Sequence, residues 1–267
     1  MIVNKDTIFE LSSQGKRLDG RGLLEYRSPI QIETNISWTA EGSARVQIGQ
    51  TVVMAGVKMS IEKTYNDTPD EGGIMINAEL LPLSSPEYES GPPGEKAVEL
   101  ARVVDRGTRE AKALDMKKLC IKPGEKAWFV TVDIMTINDA GNLFDASGLA
   151  VLAALKAAFF PVVDAQGVID YHTRTATPLP LLKEPLPVTV YKIGTQFLVD
   201  PTAEEENAYD ARLTIASDEK GTISALQKGG IAPLSVEDVS KMVDIAMDKA
   251  TFLRGELNKA LKQKQEN

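Results

Sequence analysis

The sequence predicts an α+β fold in which helices pack on mixed sheets. Segments with period-two alternation are rich in Val, Ile and Thr, and segments with period 3.6 are long enough to form helices. Their order is strands, helix, strand, helix, strands and helix, which differs from the strict alternation of a doubly wound fold. With 267 residues, of which 43% are hydrophobic and 25% charged, the chain is long enough to bury a substantial core.

The first half of the chain predicts a set of strands followed by a long helix. Residues 4–14 predict a short amphipathic helix, and residues 30–61 predict three or four antiparallel strands. A strand over 74–81 and a proline-rich loop over 82–94 precede a helix over 95–115.

The second half begins with a strand over 130–137, a tight turn, and an Ala- and Leu-rich helix over 145–160. Because this helix has apolar residues on nearly every side, we expect it to be buried. Four prolines predict a loop over 161–186. The last predicted elements are hairpins at 187–199 and 212–227 and a helix at 236–262. We expect a single domain, 1–267, with a core at about 26–200 and a C-terminal sheet and helix at about 201–264.

Composition and net charge exclude several classes of protein. The net charge is −8, so binding to nucleic acid would need a local basic patch. The single cysteine, Cys120, excludes an intramolecular disulfide framework and is expected at a buried strand position. The single histidine, His172, argues against a histidine-based triad or zinc site and is expected on a polar surface loop. No apolar run reaches the roughly 20 residues that cross a bilayer, and no signal peptide is evident, so we expect a cytoplasmic protein.

The predicted helix over 95–115 carries three arginines on one face. At 100° per residue, Arg106 and Arg109 lie about 40° and about −20° from Arg102, and the apolar residues lie on the opposite side. Residues 96–126 hold nine Lys and Arg against five Asp and Glu. This arginine stripe (Arg102, Arg106, Arg109) predicts a phosphate-binding surface, since a guanidinium binds phosphate through two parallel hydrogen bonds. The alternative is a solvated helix face with pairs such as Glu99–Arg102 and Asp105–Arg109.

Two further segments carry groups that could bind ligands. In the turn 139–148, Leu143 and Phe144 are unsuited to a phosphate, and Asp145 is expected to cap the following helix. The carboxylates of residues 200–210 could hold Mg²⁺ or serve as a general acid, although solvated side chains are the more common outcome for such a run.

Three segments resemble the RNase PH-like family and occur in order along nearly the whole chain. They are RLDGR at 17–21, ELARVVDRGTREAKALD at 99–115 and DPTAEEENAYDARLTIA at 200–216. Within the family, the chain is most similar to the non-catalytic RNase PH-like subunits of archaeal exosomes. The resemblance implies the RNase PH-like fold, which is also called ribosomal protein S5 domain 2-like.

The resemblance also implies a role in RNA degradation. Family members form a hexameric ring, a trimer of heterodimers, in which RNA is degraded from its 3′ end by phosphorolysis. The implied partners are a catalytic RNase PH-like subunit, RNA-binding cap subunits and single-stranded RNA. No cofactor is implied for this chain, because inorganic phosphate is used by the partner's active site.

The catalytic residues of the family match this sequence only in part. Catalytic relatives hold phosphate with a Gly-Thr-Arg-type turn, whereas Asn142, Leu143 and Phe144 supply neither the hydroxyl nor the guanidinium. The acidic pair of the family is expected at Glu204 and Asp210. We call these five residues the degenerate site.

The resemblance assigns the arginine stripe to a helix that faces the partner's active-site cleft and helps hold the RNA backbone. Three functions are compatible with these residues: a non-catalytic, RNA-holding subunit; an active phosphorolytic nuclease with Asp210 as general acid; and a scaffold whose arginines only join subunits. The degenerate turn favours the first of these over the second. The first and the third differ in whether neutralising the arginines weakens RNA binding while the ring stays assembled.

Overall fold

The computed structural model describes residues 5–164 and 166–266. The helices are α1 (Lys5–Ser13), α2 (Glu95–Glu110), α3 (Leu143–Lys156), α4 (Ala203–Glu206) and α5 (Val236–Glu266). The strands of the first half are β1 (Ile30–Thr34), β2 (Gly42–Ile48), β3 (Thr51–Glu62), β4 (Gly73–Glu79), β5 (Cys120–Lys122) and β6 (Lys126–Asn138). Those of the second half are β7 (Phe159–Val163), β8 (Ile169–Pro178), β9 (Leu186–Ile193), β10 (Gln196–Val199), β11 (Ala211–Ser217) and β12 (Ile223–Gly230).

Two sheets enclose the core. The larger sheet has the strand order β1-β2-β3-β6-β4, with β5 added to β6, and only β4 runs parallel to its neighbour. The smaller sheet has the order β10-β9-β11-β12 and is antiparallel throughout. Period-two alternation places residues such as Val46, Val53 and Ile134 on the inner face of the larger sheet, where they are fully buried.

Helix α3 fills the space between the two sheets, as its apolar sequence predicts. Each residue from Asp145 to Leu155 is buried, and alanines let the sheets approach it closely. Gly148 is required here, because a Cβ at this position would lie within 2.5 Å of Pro187 Cδ. Helix α2 packs beside β4 and the smaller sheet, and α5 packs on β9 and β11.

The structure confirms the α+β class and most of the predicted elements, with four corrections. The helix predicted over 145–160 spans Leu143–Lys156, and residues 159–160 belong to β7. The predicted loop over 161–186 contains the paired strands β7 and β8. Helix α2 ends at Glu110, and a 3₁₀ turn, Met116–Leu119, follows it. Cys120 lies in β5, an edge strand, and is half-buried rather than buried. The expected division at about residue 200 stays a prediction; a single hydrophobic cluster includes residues from both sheets.

Candidate functional site

The arginine stripe lies on the exposed face of α2. Arg102, Arg106 and Arg109 are exposed, whereas the opposite face of the helix is buried through Leu100 and Val104. An open groove of about 780 Å³ runs along the stripe, and Gln227 of β12 forms part of its wall. The two-faced helix that the sequence predicts is therefore present.

The three arginines differ in the number of hydrogen bonds and ion pairs that they form within the chain. Arg109 donates two hydrogen bonds to Asp105, at 3.0 and 2.8 Å, and a third to the Ile74 carbonyl at 2.6 Å. Arg106 makes one long contact with Gln227 at 3.4 Å. Across residues 5–164 and 166–266, Arg102 has neither a hydrogen bond nor an ion pair. Two of the three guanidiniums thus remain available to a ligand.

The alternative interpretation of the stripe predicts two ion pairs. Asp105–Arg109 forms, but Glu99–Arg102 does not, because Glu99 binds a different arginine. Glu99 accepts a hydrogen bond from Arg212 Nη2 at 2.6 Å. Arg212 is only 5% exposed, and its guanidinium lies over the Phe144 ring at 4.3 Å. The Phe144 ring and the Glu99 carboxylate stabilise the buried guanidinium of Arg212.

The turn into α3 is closed by the protein's own carboxylate. Asn142 has the left-handed backbone conformation, with φ of 63°, and it precedes the first residue of α3. Its N–H donates to Glu206 Oε1 at 2.8 Å, and its side-chain amide donates to Asp200 Oδ1 at 2.8 Å. A helix N-terminus is where an anion would meet free N–H groups, and here Glu206 already accepts one of them.

The expectation that Asp145 caps α3 is wrong. Asp145 lies inside the first turn and is completely buried, and its carboxylate accepts hydrogen bonds from Tyr26 Oη at 2.6 Å and Thr189 N at 2.8 Å. It joins α3 to the smaller sheet and to the N-terminal segment. Burial raises the pKa of Asp145 to about 7.

The carboxylates of residues 200–210 are mostly structural, so the expectation of a solvated run holds only for exposed Glu204. Asp200 is fully buried and binds Arg21 and Arg27, at 3.0 and 2.8 Å. Glu205 is buried and accepts from Arg17 Nε at 3.0 Å. Arg17 and Arg21 of the RLDGR segment are thereby attached to Glu205 of α4 and to Asp200, which precedes α4.

Glu206 and Asp210 have different surroundings from each other. Glu206 accepts from Tyr191 Oη at 3.0 Å as well as from the turn, and burial raises the pKa of Glu206 to about 7. Asp210 accepts from Gly194 N at 2.8 Å and lies 3.8 Å from Lys5, so it serves as a local backbone acceptor.

A pocket of about 290 Å³ lies between α2, the turn into α3 and α4. Leu143 and Phe144 of the degenerate site line it, whereas Glu204 and Asp210 do not. Sequence reasoning missed Glu206 and Arg212, which do line it; they have the same six-residue spacing as Glu204 and Asp210. The charged residues around the pocket are Glu87, Glu99, Asp139, Glu206, Lys96 and Arg212. The excess of carboxylates is unfavourable for a phosphate.

Neither His172 nor a group of metal-binding side chains forms a further site in the described residues. His172 is exposed, but it lies on β8 rather than in a loop. Among the described residues, no group of three His, Cys, Asp or Glu side chains is arranged to hold a metal ion. No helix in the described part of the chain is both long enough and apolar enough to cross a membrane.

Comparison with family models identifies the class of protein. Residues 25–161 match domain 1, and residues 183–249 match domain 2, of the 3′ exoribonuclease family, the RNase PH family. The chain therefore belongs to this family, which confirms the resemblance seen in the sequence, and its fold is the RNase PH-like fold.

The individual proteins and solved structures that are similar to this chain include components of archaeal exosomes. The chain is 44% identical over 253 residues to the exosome complex component Rrp42 of Methanosarcina acetivorans, covering 95% of this chain and 92% of that protein. It is also 44% identical over 260 residues to Rrp42 of Thermococcus gammatolerans, with coverage of 94% and 93%. Among solved structures, the Archaeoglobus fulgidus exosome with RNA bound to the active site contains a chain with a TM-score of 0.87 and 42% identity, covering 94% of this chain and 96% of that one. A chain of an archaeal exosome core has a TM-score of 0.83 and 39% identity, covering 95% of this chain and 96% of that one.

Proposed function

We propose that this protein is a non-catalytic subunit of an exosome, a phosphorolytic 3′–5′ exoribonuclease complex. It assembles with a catalytic RNase PH-like subunit into a six-membered ring in the cytoplasm and carries cap subunits that bind RNA. The catalytic partner uses inorganic phosphate, and this chain contributes no cofactor. Its own tasks are to complete the partner's active-site cleft and to hold single-stranded RNA through Arg102, Arg106 and Arg109.

The single observation that supports the absence of catalysis by this chain is the hydrogen bond from the Asn142 N–H to the Glu206 carboxylate. A phosphate at the N-terminus of α3 would have to displace this carboxylate, and it would then lie near Asp139 as well. Two unit charges at about 4–8 Å repel by roughly 2–4 kcal/mol at an effective dielectric constant of about 20. The side chains of Leu143 and Phe144 offer no hydrogen bond that would offset this cost.

The arginine stripe supports the RNA-holding role. Arg102 and Arg106 reach into an open groove with few competing partners, although the chain as a whole is acidic. Guanidinium groups on a helix face bind the phosphate backbone without reading the bases. Such contacts suit a complex that must degrade RNA of any sequence.

The test is to purify the native complex, measure its mass, and assay phosphorolysis by each separated subunit. We expect equimolar amounts of this chain and a catalytic RNase PH-like subunit in one ring, and activity only where the catalytic subunit is present. A stable monomer in an equimolar mixture with that subunit would contradict the assembly. Phosphorolysis by this chain alone would instead support the alternative with Asp210 as general acid.

A further inference from the structure

The groove along the arginine stripe continues beyond the end of α2. Arg109 lines both this groove and a second one of about 620 Å³, so the two meet at its side chain. The second groove lies between the residues that follow α2 and the segment that leads into β4. We call it the distal groove and define it by Tyr65, Met75, Lys112 and Leu182, which line it together with Arg109.

An exposed aromatic ring stands in the distal groove. Tyr65 is 57% exposed, and its ring is held nearly perpendicular to that of Phe129, with centroids 5.4 Å apart. Met75 and Leu182, also more than half exposed, line the same groove. A fixed aromatic ring beside apolar side chains is the surface on which bases of single-stranded RNA stack, with little dependence on sequence.

A cation without a partner in the described residues lines the same groove as that ring. Lys112 follows α2 in the left-handed conformation, with φ of 54°, and is exposed. Within the described ranges, no hydrogen bond or ion pair involves its ammonium group. Arg109 is bound to Asp105, yet 48% of its side chain remains exposed. Lys117 also lines the groove but is paired with Asp70 at 3.3 Å.

Two carboxylates, Glu71 and Asp115, line the groove as well. Asp115 lies 3.7 Å from Lys118, so part of its charge is already compensated. Among the basic side chains that line the distal groove, Lys112 is the one without a carboxylate partner in the described residues, and it shares the groove with the ring that offers stacking. A polyanion with exposed bases complements both features.

We propose that RNA held on the arginine stripe extends into the distal groove, where one base stacks on Tyr65 and one phosphate contacts Lys112. From Arg102 to Glu110, its last residue, α2 advances about 12 Å along its axis, which matches about three to four nucleotides at a stacked spacing of ~3.4 Å, and Lys112 follows two residues later. This inference rests on the proposed function, because it extends an RNA path that begins on the stripe.

The experiment measures binding of fluorescein-labelled oligo(U) of about 20 nucleotides to the assembled complex in phosphate-free buffer, where phosphorolysis cannot proceed. Tyr65→Ala should weaken binding about fivefold or more, whereas Tyr65→Phe keeps the ring and should stay within about twofold of wild type. Lys112→Ala should lower the salt slope by about 0.7. Lys220→Ala, which removes an exposed lysine outside both grooves, is the matched control and should change nothing.

Two results would overturn this inference. The first is unchanged affinity and salt slope in both Tyr65→Ala and Lys112→Ala with the ring intact. The second is loss of the ring in Tyr65→Ala, seen by native mass spectrometry, which would make the distal groove a contact between subunits. Replacing Arg102 and Arg106 by alanine in the same assay distinguishes failure of this inference from failure of the proposed RNA-holding role. If these arginines matter and the distal residues do not, only this inference fails; if the arginines also have no effect, the RNA-holding role fails.

Discussion

Replacing Arg102 and Arg106 together by alanine removes the two guanidiniums that the chain leaves free for RNA. Both side chains are exposed and oppose the buried face of α2, so the free energy of unfolding should change by less than about 0.5 kcal/mol. Each phosphate contact to single-stranded nucleic acid contributes about 0.7 to the salt slope, so the double variant should lose about 1.4. When the salt concentration rises from 50 to 200 mM, both proteins lose affinity for RNA. The fold-loss should be about seven times smaller for the variant than for wild type.

The assay is titration of labelled oligo(U) into the assembled complex at several salt concentrations. Lys259→Ala combined with Lys262→Ala is the control, because it removes the same charge from exposed positions on α5. Arg109→Ala should behave differently from both: it loses its bonds to Asp105 and Ile74, so it should lower stability by about 1 kcal/mol and change the slope less. An unchanged slope in the Arg102 and Arg106 variant, with the ring whole, would refute the RNA-holding role and favour the scaffold.

Three further predictions concern the carboxylates. Asp210→Asn should leave phosphorolysis by the assembled complex within about twofold of wild type in rate assays, because Asp210 lies outside the pocket, where it accepts the Gly194 N–H and pairs with Lys5; a hundredfold loss would identify it as a general acid. Asp145 has a pKa raised to about 7, so the folded state holds a proton that the unfolded state has released above about pH 4. Asp145 should therefore make the free energy of unfolding fall as pH rises from about 4 to 7, by up to about 1.4 kcal/mol per pH unit. In the Asp145→Asn variant, chemical denaturation at several pH values should show a free energy of unfolding without this decrease. Glu205→Gln should cost about 3–5 kcal/mol by leaving buried Arg17 unpaired, while Glu204→Gln, at the exposed neighbouring position, should stay within about 0.5 kcal/mol.

Helices and strands with a long periodic pattern can be predicted because the spacing of apolar residues is contained within one segment of the sequence. Alternation over 30–61 marks β1, β2 and β3, and the apolar sequence of α3 is enough to predict that it is buried. The arginine stripe follows from helical spacing alone, and the structure places it on the exposed face of α2. Strands β7 and β8 were missed because prolines and polar residues hide a pairing that has irregular register.

The chemistry around the turn into α3 could not be predicted from sequence. Arg17 and Glu205 are separated by 188 positions, and Tyr26 reaches Asp145 over 119 positions, so no local pattern contains either pair. Three consecutive glutamates look equivalent in the sequence, yet one is solvated, one is buried in an ion pair and one closes the helix N-terminus.

The sequence by itself determined the α+β class, the family resemblance and the missing phosphate-holding side chains at residues 142–144, since all three depend on residue identity and spacing. Only the tertiary structure decided which carboxylates line the pocket and which arginines are free. The physical reason is that a charge acts on whatever folding brings within a few ångströms of it, and burial then decides how strongly it acts. Glu206 and Arg212 acquire their significance from partners that are distant along the chain, and Lys112 acquires it because its ammonium group has no hydrogen-bond or ion-pair partner among the described residues.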